Sequence, residues 1–147
     1  MIGSQALTLR DATPGDATRI AELFTDEGYP AGPTDIVTRL TRFRGEDSRI
    51  VVADLAGEVI GFIAMHAIPR FEHDDVIVRI LALVVDAGAR ERGVGHRLMA
   101  EAEAFGIERR AAFVEITAGH HRPEARHLYE AVGYDGAVTA YLRKRLG

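Results

Sequence analysis

The chain of 147 residues contains no cysteine. It therefore has no disulfide, no thiolate nucleophile and no thiolate metal site. No apolar run approaches the roughly 20 residues that a membrane-spanning helix needs, and the first residues lack the basic and apolar regions of a signal peptide. Positive charge is not in excess either, because 18 Lys and Arg stand against 22 Asp and Glu. We expect a cytoplasmic protein that binds neither membrane nor nucleic acid.

The composition is that of an ordinary globular domain, with 47% hydrophobic and 27% charged residues. Nothing repeats at a fixed period, and no segment is low in complexity. Length and composition together predict one domain over residues 1–147.

Apolar periodicity predicts an α/β domain in which strands and helices mix along the chain. The run over residues 76–85 is almost continuously apolar, as expected for a central strand covered on both faces. Thr13, Pro14 and Asp16 form a helix start, and Gly133-Tyr134 is a helix end of the Schellman type. The predicted strands are residues 6–10, 49–55, 59–65, 76–85, 112–117 and 138–143, and the predicted helices span residues 13–28, 34–43, 93–109 and 123–132.

The segment that follows the central strand reads ARERGVGHRLM over residues 89–99. Helix N-termini carry unpaired N–H groups and a partial positive charge, which favour phosphate. Gly93 and Gly95 would let the backbone approach an anion, and Arg90 would add charge. A plain strand-to-helix turn explains the glycines equally well. The dinucleotide-binding pattern fails at Leu98, where it needs a third glycine, and the P-loop pattern is absent.

Two motifs taken together resemble those of the GCN5-related N-acetyltransferases. The first is Arg90-x-x-Gly93-x-Gly95, placed eight residues after Val85 at the end of the strand. The second lies downstream and reads Ala125-x-x-Leu128-Tyr129-Glu130-x-x-Gly133-Tyr134. The resemblance implies a single-domain fold with a mixed, mostly antiparallel sheet, splayed central strands and flanking helices.

The resemblance also implies acetyl-CoA as cosubstrate, held largely by backbone groups. The pantetheine arm would lie along the end of the central strand, the turn would wrap the pyrophosphate, and the Val85 amide would face the thioester carbonyl. Arg122 replaces an asparagine that many relatives have, and it could reach a phosphate. The residues implied to bind acetyl-CoA are Leu83, Val84, Val85, Arg90, Glu91, Arg92, Gly93, Val94, Gly95, His96 and Arg122.

The implied reaction is direct transfer of acetyl to a primary amine of a small molecule or peptide. Tyr129 would protonate the leaving thiolate, although an aromatic residue on this apolar helix face could also be part of the core. The amine must lose a proton before it attacks. Histone-type relatives use a strand glutamate for this, and Arg79 stands at that position here. The base is therefore solvent or another residue, with Glu115, Glu72, His73 and Glu27 as candidates.

The acceptor pocket is implied to lie between two acidic loops, one with Glu27 and Tyr29 and the other with His73. They would suit a cationic amine, and a merely solvated acidic loop is the alternative. His120, His121 and His127 lack a carboxylate at ligand spacing, so we predict no metal. A homodimer is left open. The competing functions are a non-catalytic acyl-CoA sensor and a transferase of another acyl group.

Overall fold

The computed structural model describes residues 6–90, 92–119 and 122–147. Its centre is a sheet in which the strands follow one another in chain order. Neighbouring strands are antiparallel except for the last pair, which is parallel. This confirms the mixed, mostly antiparallel sheet that the resemblance implied. The strands are Leu7–Asp11 (β1), Ser48–Leu55 (β2), Glu58–Pro69 (β3), Val76–Val85 (β4) and Val114–Ile116 (β5).

Helices cover both faces of the sheet and so create two hydrophobic cores. Because side chains alternate along a strand, Val51 of β2 packs towards one face and Val52 towards the other. The first core contains Leu98 of the third helix, and the second contains Leu23 of the first helix. The helices are Ala17–Asp26 (α1), Pro33–Thr41 (α2), Val94–Glu108 (α3) and Pro123–Ala131 (α4).

Three predicted strands differ from those observed, and the first is β3, which extends to Pro69, beyond the predicted range 59–65. β5 is shorter than the predicted range 112–117, and the predicted strand 138–143 is wrong, because residues 138–147 lie in no strand. Alternating apolar residues form a strand only where a neighbour accepts the ladder hydrogen bonds and covers one face. Here Val138 is 74% exposed and Leu142 is 90% exposed. The alternating apolar pattern of residues 138–143 therefore predicted a strand that does not form.

Asp16 ties the start of α1 to the first strand. Its carboxylate accepts a hydrogen bond from the Thr13 N–H at 2.8 Å, as the sequence predicted, and two from the Arg10 guanidinium at 2.9 Å each. The residue is only 7% exposed. Hydrogen bonding to Arg10 lowers the pKa of Asp16 below its ordinary value, against the opposing effect of burial.

Replacing Asp16 by asparagine is expected to lower the free energy of unfolding by about 2 kcal/mol at pH 7, since it removes charged hydrogen bonds. The folded-state pKa lies below the unfolded one, so this stabilisation is complete above the unfolded value of about 3.9 and disappears as the pH falls through the folded value. Urea unfolding at pH 7 and pH 3 measures both effects. Asp26→Asn, at an exposed position of α1, is the control. Equal losses for Asp16→Asn at the two pH values would contradict the ion-pair explanation.

Candidate active site

The end of β4 presents backbone groups on its open side. The Asp86 N–H donates to the Ile60 carbonyl of β3 at 2.8 Å, so the Val85 carbonyl, in the same trans peptide, points away from β3. In an antiparallel pair the N–H and C=O groups of one residue point to the same side of the strand, and those of the next residue point to the opposite side. Leu83 and Val85 therefore direct their N–H and C=O groups away from β3, as the resemblance implied.

Val84 is a correction to the predicted set of cosubstrate contacts. By the same alternation its N–H and C=O face β3. A Cβ built on Gly61 of β3 would lie only 2.9 Å from the Val84 carbonyl oxygen. Its side chain is 5% exposed and belongs to the core on the α1 side. Neither its backbone nor its side chain is available to a ligand on the open side of β4.

The gap beside β4 arises because its pairing with β5 is short. The ladder between them joins Val78–Ile80 to Val114–Ile116. Just after Ile80, the pairing of β4 with β3 is also irregular. Ala64 pairs with Ala82 and Met65 pairs with Ile80, which leaves Leu81 as a bulge. β4 then continues to Val85 beyond its last pairing with β5. This is the splay that the resemblance implied.

The N-terminus of α3 lies directly after this open end of β4. Gly93 caps the helix with φ +80°, a left-handed conformation that favours glycine. Val94 is 1% exposed and anchors the first turn in the core. The first N–H groups of α3 have no acceptor within the helix and carry its partial positive charge. We call residues 92–96 the cradle; Arg92 and His96 are exposed beside its amides.

Gly95 has a different role from the one expected. The sequence suggested that its missing side chain gives room to an anion. A Cβ at this position would instead lie 3.3 Å from Leu128 Cδ2 and 3.9 Å from Val85 Cγ2. The glycine therefore allows α3, α4 and β4 to pack closely. Only its N–H stays a candidate contact for the anion.

The end of α1 places Glu27 in a fixed position. The Tyr29 N–H donates to the Phe24 carbonyl at 2.9 Å, and Gly28 takes φ +95°, which is a Schellman ending. Glu27 is the last residue before this turn. The acidic side chain is thereby held at a helix end rather than on a mobile loop.

Glu27 connects this helix end to the turn after β4 and to the residue that precedes α4. Its carboxylate forms ion pairs with Arg90 and, at 3.0 Å, with Arg122. The Glu27 side chain is 10% exposed. Arg90 also donates from Nε to the Val85 carbonyl at 3.2 Å. The sequence missed this cluster, because its members are far apart along the chain and no local spacing indicates that they meet.

Tyr129 lies half-buried on α4, close to the same charged groups. Burial raises the pKa of Tyr129 above its ordinary value of 10.0; the positive charge of Arg122 opposes this shift and the negative charge of Glu27 adds to it. The phenol is therefore protonated at neutral pH. The helix ends as predicted, with the Tyr134 N–H donating to the Tyr129 carbonyl at 3.0 Å and Gly133 at φ +98°.

Glu115 is paired with Arg79, the residue opposite it in the β4–β5 register. Both side chains are partly exposed. The structure thus gives Glu115 an ion-pair partner, while its role as a base stays a prediction.

The predicted acceptor residues are not all brought together. Tyr29 follows the Schellman turn after Glu27, is 55% exposed and packs edge-on against Phe24 with ring centroids 6.4 Å apart. His73 and Glu72 are exposed in the connection before β4. That connection lies at the opposite end of β4 from Val85, about 30 Å away along an extended strand. The structure therefore groups Tyr29 with Glu27 but leaves His73 apart from them.

Three residues that the sequence singled out, Glu91, His120 and His121, lie outside the described residues. His127 is exposed on α4. Within the described ranges no three His, Asp or Glu side chains converge as metal ligands. None of the described helices combines the length and apolar character needed to cross a membrane.

Comparison with known proteins agrees with this geometry. The chain matches the model of the Acetyltransferase (GNAT) family over residues 16–134. It is 29% identical over 136 residues to YhfO of Bacillus subtilis (strain 168), described as an uncharacterized N-acetyltransferase, covering 88% of this chain and 90% of that one.

Two solved structures share the fold. A transcriptional regulator from Bacillus halodurans C-125 has a TM-score of 0.88 at 21% identity, covering 96% of this chain and 100% of that one. An aminoglycoside N-acetyltransferase in complex with CoA has a TM-score of 0.81 at 15% identity, covering 97% of each chain.

The fold and the open strand end followed by a glycine-capped helix define an acetyltransferase architecture. The chain belongs to the GNAT family of acetyltransferases. This confirms the family that the two motifs predicted.

Proposed function

We propose that the protein transfers an acetyl group from acetyl-CoA directly to a primary amine of a small molecule or peptide. The observation that carries the proposal is the arrangement at the end of β4. There the outward peptide groups of Leu83 and Val85, the amides of the cradle and the phenol of Tyr129 lie on adjoining elements. The family match and a fold neighbour that holds CoA support the same assignment.

The residues present suit acetyl-CoA. An extended pantetheine arm can hydrogen-bond to Leu83 and Val85 as an added strand would. The cradle amides and Arg92 suit the pyrophosphate. Arg122 offers a further charge, whereas Val94 contributes only its N–H because its side chain is buried. When bound, acetyl-CoA supplies an activated acetyl group as a thioester.

Two groups of the protein then assist the reaction, one at the carbonyl oxygen and the other at the sulfur of the leaving thiolate. In this proposal the Val85 N–H donates to the carbonyl oxygen as negative charge develops there. The amine nitrogen bonds to the carbonyl carbon, the carbon–sulfur bond breaks, and the thiolate takes the phenolic proton of Tyr129. The amine gives up its proton to water or to a carboxylate, and solvent returns a proton to Tyr129.

Calorimetry with acetyl-CoA, CoA and succinyl-CoA, followed by thiol release against a panel of amines, tests the proposal. We expect micromolar binding of acetyl-CoA and amine-dependent thiol release. Stronger release from succinyl-CoA would indicate another acyl group. Binding without release for any amine would favour an acyl-CoA sensor, and no binding of any CoA would refute the proposal.

A further inference from the structure

An open cleft of about 600 Å³ lies at the end of α3 that is far from the cradle. Its other walls are the end of β1, the start of β2 and the region where α2 ends. We propose that this cleft binds a phosphate monoester with an aromatic or aliphatic body, a ligand that the acetyl transfer proposed above does not use. We call it the distal cleft and define it by Leu40, Phe43, Arg44, Arg49, Phe105 and Arg109.

The distal cleft is separate from the proposed acetyl-CoA site. α3 has 15 residues, so its two ends are about 22 Å apart. The cradle includes its first turn, and Arg109 caps the opposite end. The sheet gives the same result. Ser48 lines the cleft and pairs with His66 of β3, which lies about 17 Å along that strand from Gly61, the partner of Val85.

Arg109 brings a positive charge and an unused hydrogen-bond donor to the distal cleft. Its guanidinium carbon lies over the Phe105 ring, 4.2 Å from the ring centroid. This cation–π contact holds the guanidinium in place without using its N–H groups. The Arg109 Nε is the one buried side-chain nitrogen or oxygen without a hydrogen-bond partner in the described part of the chain. A buried donor without a partner costs free energy, and an anion beside it would supply the missing acceptor.

The other charges of the distal cleft leave a second guanidinium without a partner. Arg49 is paired with Asp11 at 2.8 Å. Arg44 is exposed, and no ion pair within the described ranges involves Arg44 or Arg109. The lining also contains Glu108, so three arginines face two carboxylates and the net charge is positive. Two unpaired guanidiniums from different elements suit a phosphate, because its oxygens can be shared between them.

The remaining walls of the distal cleft are apolar. Leu40 and Phe43 come from α2 and the turn after it, Ile50 comes from β2, and Phe105 comes from α3. Inorganic phosphate would leave this surface in contact with water, whereas a monoester would cover it with its hydrocarbon body. The volume also lies in the range of small-molecule sites. The favoured ligand is therefore a phosphate monoester rather than free phosphate.

Phenyl phosphate is a suitable probe, with inorganic phosphate and phenol as its separate parts. Calorimetry in the presence of saturating CoA keeps the probe out of the proposed acetyl-CoA site. We expect a Kd below about 1 mM for phenyl phosphate and at least about 10-fold weaker binding of either part. Equally tight binding of inorganic phosphate or of phenol would overturn the proposed ligand class. A wild type that binds no CoA would refute the proposed function, and the same titration without CoA would still test the distal cleft.

Two variants and one control test the location of the site. Arg109→Gln and Arg44→Gln should each weaken phenyl phosphate binding about 10-fold, since each removes charged hydrogen bonds. Arg110→Gln should match the wild type, because Arg110 is exposed and does not line the cleft. Thermal unfolding checks that the variants stay folded, and the exposed position of Arg44 makes its variant the safer of the two. Wild-type affinity in both cleft variants would overturn the inference.

Amide NMR spectra of the wild type locate the probe directly. With CoA bound, phenyl phosphate should shift the amide signal of Gly45, which lines the distal cleft, and leave that of Gly95 in the cradle unchanged. Shifts confined to the cradle would contradict a second site.

Discussion

Replacing Tyr129 by phenylalanine is expected to lower kcat about 100-fold while leaving the affinity for acetyl-CoA within about 2-fold of the wild type. The change removes only the phenolic oxygen, so the packing of α4 is kept. A positioned general acid contributes 10²- to 10⁴-fold. Because burial raises the pKa of Tyr129 above 10.0, the wild type should lose activity through this group only at pH above 10, and the variant should lack that alkaline decline.

Tyr134→Phe is the matched control for this experiment. Tyr134 closes the same helix and its hydroxyl donates to Glu103 at 3.2 Å on α3, away from Glu27 and Arg122. The same chemical change there should leave kcat near the wild-type value. Steady-state turnover and calorimetry of both variants decide the assignment. A Tyr129→Phe enzyme with unchanged turnover would show that another group protonates the thiolate.

His96→Glu is expected to raise the Kd for acetyl-CoA about 10- to 100-fold without destabilising the fold. His96 is an exposed residue in the first turn of α3. A carboxylate there interacts favourably with the helix N-terminus, by about 0.3–1 kcal/mol. The same carboxylate partly neutralises the positive potential of the cradle and repels a diphosphate. Affinity and stability should therefore move in different directions, and added salt should reduce the loss of affinity.

Ala104→Glu serves as the control for charge, since it adds a carboxylate at an exposed position in the same helix, well beyond its first turn. Its affinity for acetyl-CoA should equal that of the wild type. Calorimetry at low and high salt measures the affinity and its salt dependence, and thermal unfolding measures the stability. Equal affinity for His96→Glu and Ala104→Glu would mean that the pyrophosphate binds elsewhere.

Much of the local structure of the candidate site could be predicted because its determinants are local. The apolar run of β4 indicated a covered central strand, and Gly93 stands where a left-handed cap must form. Gly133 and Tyr134 indicated the helix end that fixes the position of Tyr129. Each of these features depends on residues within one or two turns of each other. Sequence spacing therefore carries the information directly.

The remainder depends on contacts that spacing does not encode. The meeting of Glu27, Arg90 and Arg122 requires the end of α1, the turn after β4 and the approach to α4 to converge. The inaccessibility of Val84 depends on which side of β4 pairs with β3. The prediction of a strand at residues 138–143 was wrong for a related reason. Alternation of apolar and polar residues does not by itself supply the neighbouring strand that the segment needs.

The contact of Gly95 with Leu128 and Val85 has a consequence for the interpretation of variants. The three residues belong to the cradle, to the helix that bears Tyr129 and to the strand that bears the Val85 amide. A side chain at position 95 would therefore shift the proposed phosphate contacts, the proposed proton donor and the proposed oxyanion donor together. Affinity and turnover cannot be separated at this glycine. Kinetic dissection of the site has to use other positions, such as Tyr129 and His96.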